Sequence, residues 1–110
     1  MKNFLTRRIY ASRRNAEWFA MNQKRWFVYI VKCSDNTLYT GVTTDIDRRI
    51  HEHNHTKKGA KYTMSRRPVT LVACKVFRIK SNAFKVEYKV KQKKKHEKIN
   101  FLTELKNESI

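Results

Sequence analysis

Five side chains in this sequence have the chemistry of a reactive site and fall at regular intervals: Tyr29, Tyr39 ten positions on, Arg49 ten further, His53 four after that, and Glu87 well downstream. Phenol, imidazole and carboxylate groups hold or move protons, and a guanidinium clamps an oxyanion through two parallel hydrogen bonds. Arg49 and His53, four apart in a segment of helical period, share one row of a helix at the border of its apolar stripe. On a helical wheel Glu87 falls between Ala83 and Val90 on one side and Phe84 and Tyr88 on the other, inside the apolar face. A carboxylate in that place is costly unless it is paired with a Lys or Arg or bound to a cation, and the residues alone leave both open. The two tyrosines are equally consistent with core residues whose hydroxyls reach water. The run His51, His53, His55 does not make a zinc site, because alternate residues on a helix diverge and no cysteine is near.

The elements that must position these groups are legible from period and punctuation. Residues 26–33, WFVYIVKC, are aromatic and β-branched, and are followed by the polar turn Ser34-Asp35-Asn36 and a second run from Thr37 to Val42, a β-hairpin pattern. Alternation places Phe27, Tyr29, Val31 and Cys33 on one face and Trp26, Val28 and Ile30 on the other. Both faces are largely apolar, which predicts a central strand. Gly41 ends the second run. Thr44 with Asp47 three residues later has the form of a capping box, with Asp in place of Glu, and predicts a helix whose buried stripe is Ile46 and Ile50. Residues 55–68 are basic, contain Gly59 and Pro68, and read as a surface loop. Residues 69–79 predict a third strand, Ser81 the N-cap of a Lys-rich helix through about His96, and Phe101 to Leu105 a short closing helix or cap. Cys33 and Cys74 both sit in apolar runs and read as buried, reduced thiols. The fold expected is α+β, a three-stranded antiparallel sheet flanked by helices in the order β-β-α-β-α.

The charge points to a partner. The chain has 110 residues, with 26 Lys and Arg against 9 Asp and Glu, a formal charge of +17. Fifteen of the basic residues lie between 57 and 98, a span with only two acidic residues, whereas the hairpin and first helix are nearly neutral. Such an excess favours a polyanion, nucleic acid first and an anionic membrane surface second, because each Lys or Arg set against a phosphate releases counterions. Residues 1–25 form a basic extension that reads as an arm, an organelle transit peptide or a non-native upstream translation, with Met21 as an alternative start. No stretch approaches the roughly 20 apolar residues that span a bilayer.

Taken together, Phe27-Val28-Tyr29, Tyr39-Thr40-Gly41, Arg49, His53 and Glu87 resemble the GIY-YIG nuclease domain. The two triplets stand for its two motifs, with Phe27 in place of the first glycine and Thr40 in place of isoleucine. The resemblance covers residues 26–98, leaving 99–110 as a cap or tail, and VYIVKCSDNTLYTGVTTDIDRRIHEHN followed by GAKYT and RRP looks most like the small single-domain bacterial members, in which Asn54 is a common companion of the histidine.

The resemblance implies an endonuclease that hydrolyses phosphodiester bonds in DNA, RNA being an open alternative. Glu87 would hold one divalent cation, Mg²⁺ or Mn²⁺. Tyr29 would orient or deprotonate the attacking water, His53 would accept that proton in turn, Arg49 would clamp the scissile phosphate, and Tyr39 would position phosphate or water. Contacts to the nucleic-acid backbone fall to Arg48, Lys57, Lys58, Lys61, Arg66, Arg67, Lys93, Lys94 and Lys95. The chain has no room for an added DNA-reading domain, so low sequence specificity or preference for a DNA structure is expected. A monomer or weak homodimer, cytoplasmic or nucleoid-associated, completes the expectation, with organelle targeting by residues 1–25 left open. The alternatives are a nucleic-acid-binding module that keeps the fold without cutting, and a basic structural protein such as a ribosome-associated factor.

Overall fold

The computed structural model describes residues 24–106 and Glu108. The expectations for residues 1–23, including the choice among arm, transit peptide and alternative start, lie outside the described residues. The elements are β1 (Trp26–Lys32), β2 (Leu38–Thr43), α1 (Ile46–His55), α2 (Lys61–Met64), β3 (Thr70–Phe77), α3 (Lys80–Gln92) and α4 (Lys95–Glu104). The sheet is antiparallel throughout in the order β2-β1-β3, so the α+β architecture with a central first strand is the one observed. Asn36 turns the hairpin at φ 69°, a left-handed conformation that Asn tolerates. The Asp35 carboxylate locks this turn by accepting from Thr37 N–H at 3.1 Å and Thr37 Oγ1 at 2.6 Å.

The alternation of β1 divides the core in two. Val28 and Ile30 pack with Ala73, Phe77, Ala83, Val90 and Leu102 beneath α3 and α4. Tyr29, Val31 and Cys33 pack on the opposite face with Val69, Tyr39, Ile46 and Ile50, beneath α1. Each Val or Ile buried in this way contributes about 1.5–3 kcal/mol.

Several details differ from the sequence reading. The N-cap of α1 is Asp45, whose side chain accepts from Arg48 N–H at 3.0 Å, because the Thr43 hydroxyl takes Asp45 N–H and turns the chain one residue later than Thr44 would. Ser81 does not cap α3. That helix starts at Lys80, and the carboxylate of Glu108 accepts from Arg78 N–H at 2.6 Å, Ile79 N–H at 3.2 Å and Asn82 Nδ2 at 2.7 Å, a cap supplied from the far end of the chain. The helix ends at Gln92, not near His96, and α4 follows after a break at Lys93 and Lys94. Phe84 and Tyr88 are exposed, so the apolar face of α3 is narrower than the wheel suggested. Cys74 is exposed, on the face of β3 opposite buried Ala73, whereas Cys33 is buried as expected.

Residues 55–68 are the largest departure. In place of a surface loop they form the short helix α2 and fold back on α1, with Thr63 fully buried. Among the described residues no helix is long and apolar enough to cross a membrane.

Candidate active site

Register brings the two strand tyrosines together. Tyr29 pairs with Gly41 and Val31 with Tyr39, so Tyr29 and Tyr39 lie on the same face of neighbouring strands, with ring centroids 6.5 Å apart. The Tyr29 side chain passes directly over Gly41: a Cβ built there would stand 2.5 Å from the Tyr29 hydroxyl and 2.7 Å from its Cζ. Gly41 does more than end a strand, since any side chain would displace the phenol.

The helix α1 brings two more groups to this point, Arg49 from its first half and His53 from its last turn. Tyr29 Oη lies 2.7 Å from His53 Nε2. The His53 ring meets Tyr39 edge-on, with centroids 5.4 Å apart. Arg49, one turn before His53, reaches Glu52 Oε1 at 2.8 Å and the Lys58 carbonyl at 2.9 Å through Nη1, and its charge acts on the Tyr29 hydroxyl. Burial pushes the Tyr29 pKa up to about 12, against Arg49, which lowers it, with the charges of Tyr39 and Glu87 adding to the rise. Burial and the neighbouring Arg49 charge pull the His53 pKa down to about 4, so the imidazole is neutral at physiological pH. Burial also works against the Arg49 charge, yet its bond to Glu52 and the nearby Tyr29 raise its pKa above the usual arginine value.

Glu87 approaches from α3. Its side chain is 18% exposed, its Oε2 pairs with Lys91 Nζ at 3.2 Å, and its charge is felt at the Tyr29 hydroxyl. Of the two partners the residues alone left open for this carboxylate, the ion pair is the one observed. Arg49, His53, Tyr29 and Tyr39 converge, and Glu87 lies within electrostatic reach of them.

The cations proposed for a nucleic-acid backbone separate into groups. Arg48 lines a groove of about 350 Å³ with Lys24, Trp26, Val42, Thr43, Thr44, Arg49 and Glu52. Lys57 and Lys58 are exposed on the segment between α1 and α2 and Lys61 at the start of α2, and Lys93 and Lys94 are exposed at the break between α3 and α4 with Lys95 opening α4. Arg66 stacks on the Tyr62 ring at 3.9 Å and pairs with Asp35 at 3.0 Å, tying α2 to the hairpin turn. Arg67 is half-buried and donates to the carbonyls of Glu52, His53 and Thr56 at the end of α1, which makes it a helix cap in this fold.

Four residues of the site were not singled out from sequence. Thr63 Oγ1 lies 3.0 Å from His53 Nδ1. Tyr62 stacks on Tyr39 at 6.0 Å. Glu52 holds Arg49, and Gly59 lets the chain descend onto α1, since a Cβ there would stand 2.8 Å from the Glu52 carbonyl and 3.0 Å from His53 Cα. The signal available was a glycine followed by Tyr-Thr in a basic stretch, which by composition alone is that of any surface loop. Asn54 binds the Val69 backbone in both directions, at 2.7 and 3.0 Å, and so fixes where β3 begins relative to α1.

A three-stranded antiparallel sheet presenting two tyrosines, with Arg and His from the following helix and Glu from a later one, defines a nuclease class. The profile of the GIY-YIG catalytic domain matches residues 25–100, and the chain belongs to the GIY-YIG family of nucleases. It is similar to the UPF0213 protein DP2720 of Desulfotalea psychrophila, 63% identical over 67 residues, a match covering 61% of each chain. It is also similar to the UPF0213 protein SH2523 of Staphylococcus haemolyticus, 50% identical over 78 residues that cover 71% of this chain and 94% of that one. Among solved structures, the solution NMR structure of the UPF0213 protein BH0048 from Bacillus halodurans has 44% identity, covers 72% of this chain and 83% of its own, and gives a TM-score of 0.46.

Proposed function

We propose that the chain is a metal-dependent endonuclease that hydrolyses phosphodiester bonds in DNA. The observation that carries this reading is the convergence of Tyr29, Tyr39, Arg49 and His53 on one face of the sheet, with the Tyr29 hydroxyl 2.7 Å from His53 and within reach of the Arg49 charge. Glu87 fits a single Mg²⁺ or Mn²⁺. It offers hard oxygens, and among the described residues no set of three or more His, Cys, Asp or Glu is placed to cage an ion. A lone carboxylate suits a cation that keeps several waters and takes substrate phosphate oxygens. When bound, such an ion supplies positive charge to the phosphoryl oxygens and the leaving alkoxide.

The chain's own residues would divide the remaining work. Arg49 is held by Glu52 and the Lys58 carbonyl through one nitrogen, which leaves the rest of its fork for a non-bridging phosphate oxygen. Attack by water on phosphorus releases a proton and breaks the bond to the leaving oxygen, which gains one. Tyr29, with a pKa raised to about 12, orients that water as a phenol and takes its proton only when nearby positive charge favours the phenolate. Tyr39, its ring held between Tyr62 and His53, would position phosphate or water through its hydroxyl.

The test is incubation of the full chain with single-stranded, duplex and branched DNA in Mg²⁺, Mn²⁺ or EDTA, alongside Glu87→Ala and Arg49→Ala. Cleavage should vanish in EDTA and in Glu87→Ala, with DNA affinity retained, and fall on the order of 10²-fold or more in Arg49→Ala. Tight binding without cutting under every condition would instead establish the non-catalytic binding module, a reading favoured by the ion pairs that already engage Glu87 and Arg49.

A further inference from the structure

The His53 ring is enclosed at both nitrogens, and the enclosure fixes where its proton sits. Nδ1 accepts a hydrogen bond from Ala60 N–H at 3.3 Å. A backbone N–H can only donate, so Nδ1 must present its lone pair. The Thr63 hydroxyl stands 3.0 Å from Nδ1 and donates to the Ala60 carbonyl at 2.9 Å; a turn about its C–O bond aims the same proton at Nδ1. The ring is neutral, as its depressed pKa requires, and carries one proton. With Nδ1 accepting, that proton is on Nε2.

We infer that residues 59–63 form a positioning strap that fixes His53 as a hydrogen-bond donor to Tyr29 Oη. The role differs from the acceptor role that the family resemblance implies. His53 with its proton on Nε2 has no lone pair to offer the Tyr29 hydroxyl. Tyr29 Oη instead receives the His53 Nε2–H at 2.7 Å, which occupies one of its lone pairs and turns its own proton away from the ring. A donor at Oη stabilises the phenolate once that proton has left. The charged and titratable groups facing the ring are Arg49, Glu52 and Arg67, together with Tyr29 and Tyr39.

The strap reaches His53 for reasons of its own sequence. Gly59 has no Cβ to strike the Glu52 carbonyl, and Arg67 and Asn54 bind the segment that follows to the end of α1. Thr63, 0% exposed, is the positioning residue with a removable group. The inference rests on the nuclease reading for its catalytic consequence alone, so the two are separable by experiment.

The primary measurement is ¹⁵N NMR of the full chain labelled at histidine, near neutral pH, with the His53 signals assigned by their loss in His53→Gln. An unprotonated Nδ1 and a protonated Nε2 are expected, and a proton on Nδ1 overturns the proposal. Thr63→Val, which keeps the volume but loses the hydroxyl, should move the His53 nitrogens toward a mixture of tautomers and slow cleavage about tenfold, with Thr63→Ser restoring both. Wild-type nitrogen signals and rate in Thr63→Val would remove Thr63 from the strap. In the same assay His53→Gln, whose amide can donate, should retain more activity than His53→Leu, and equal loss in both counts against a donor role. If the wild-type chain cuts nothing, the nuclease reading fails while the nitrogen signals still decide the donor assignment.

Discussion

Tyr29 is placed by what its neighbours lack as much as by what they offer. Its ring occupies the space that a side chain at position 41 would fill, and its hydroxyl meets His53 only from there. Gly41→Ala should therefore cost about 1–3 kcal/mol through overpacking and pull the Tyr29 hydroxyl away from His53. Thermal denaturation together with the His53 Nε2 signal checks this, and an unchanged melting curve and signal would mean that the ring has another place to go.

At the level of elements, each helix that supplies a site residue is pinned at one end by a side chain from elsewhere in the chain. Arg67 closes the C-terminal end of α1, which carries Arg49 and His53, and Glu108 closes the N-terminal end of α3, which carries Glu87. Burial works against the Glu108 charge, but the hydrogen bonds from Arg78, Asn82 and Ile79 hold its pKa below the ordinary carboxylate range. A carboxyl group with a depressed folded pKa contributes stability above its unfolded value and loses it as pH falls through the folded one. Glu108→Ala should accordingly lower stability by about 1 kcal/mol at neutral pH, in the range of a lost helix cap, and the difference from wild type should close below about pH 4. Urea denaturation of both chains across pH 3 to 7 measures it, and a gap that persists at low pH would show that the effect is not that of the carboxylate.

Across the whole molecule, the formal charge of +17 is distributed unevenly, and its placement bears on how DNA would lie. Lys57 and Lys58 precede the strap and Lys61 lies within it, whereas Lys93 and Lys94 sit at the break between α3 and α4 and Lys95 opens α4. Replacing either trio with alanine should weaken DNA binding and flatten the log–log dependence of affinity on salt by about one for each phosphate no longer neutralised. Fluorescence anisotropy with labelled DNA from low to moderate salt gives both slopes. A trio whose removal leaves the slope unchanged is not in the interface.

The local pattern of the sequence determined the strands, their two faces, the existence of the first and third helices, and the spacing of the five candidate site residues. Period and residue type are local properties, and a strand such as WFVYIVKC or a row such as Arg49 and His53 expresses them without help from the rest of the chain. Only the tertiary structure decided what residues 55–68 do. Their composition is that of a solvated loop, yet Gly59 allows close backbone approach and Arg67 satisfies the carbonyls at the end of α1, both of which depend on a partner distant from the local pattern. The same holds for the Glu108 cap, separated from its helix in sequence by nearly thirty residues, and for Gly41, whose value lies in the ring that crosses it. Hydrogen-bond partners and steric vacancies are set by chain return, so they become visible once the sheet and helices have brought those segments together.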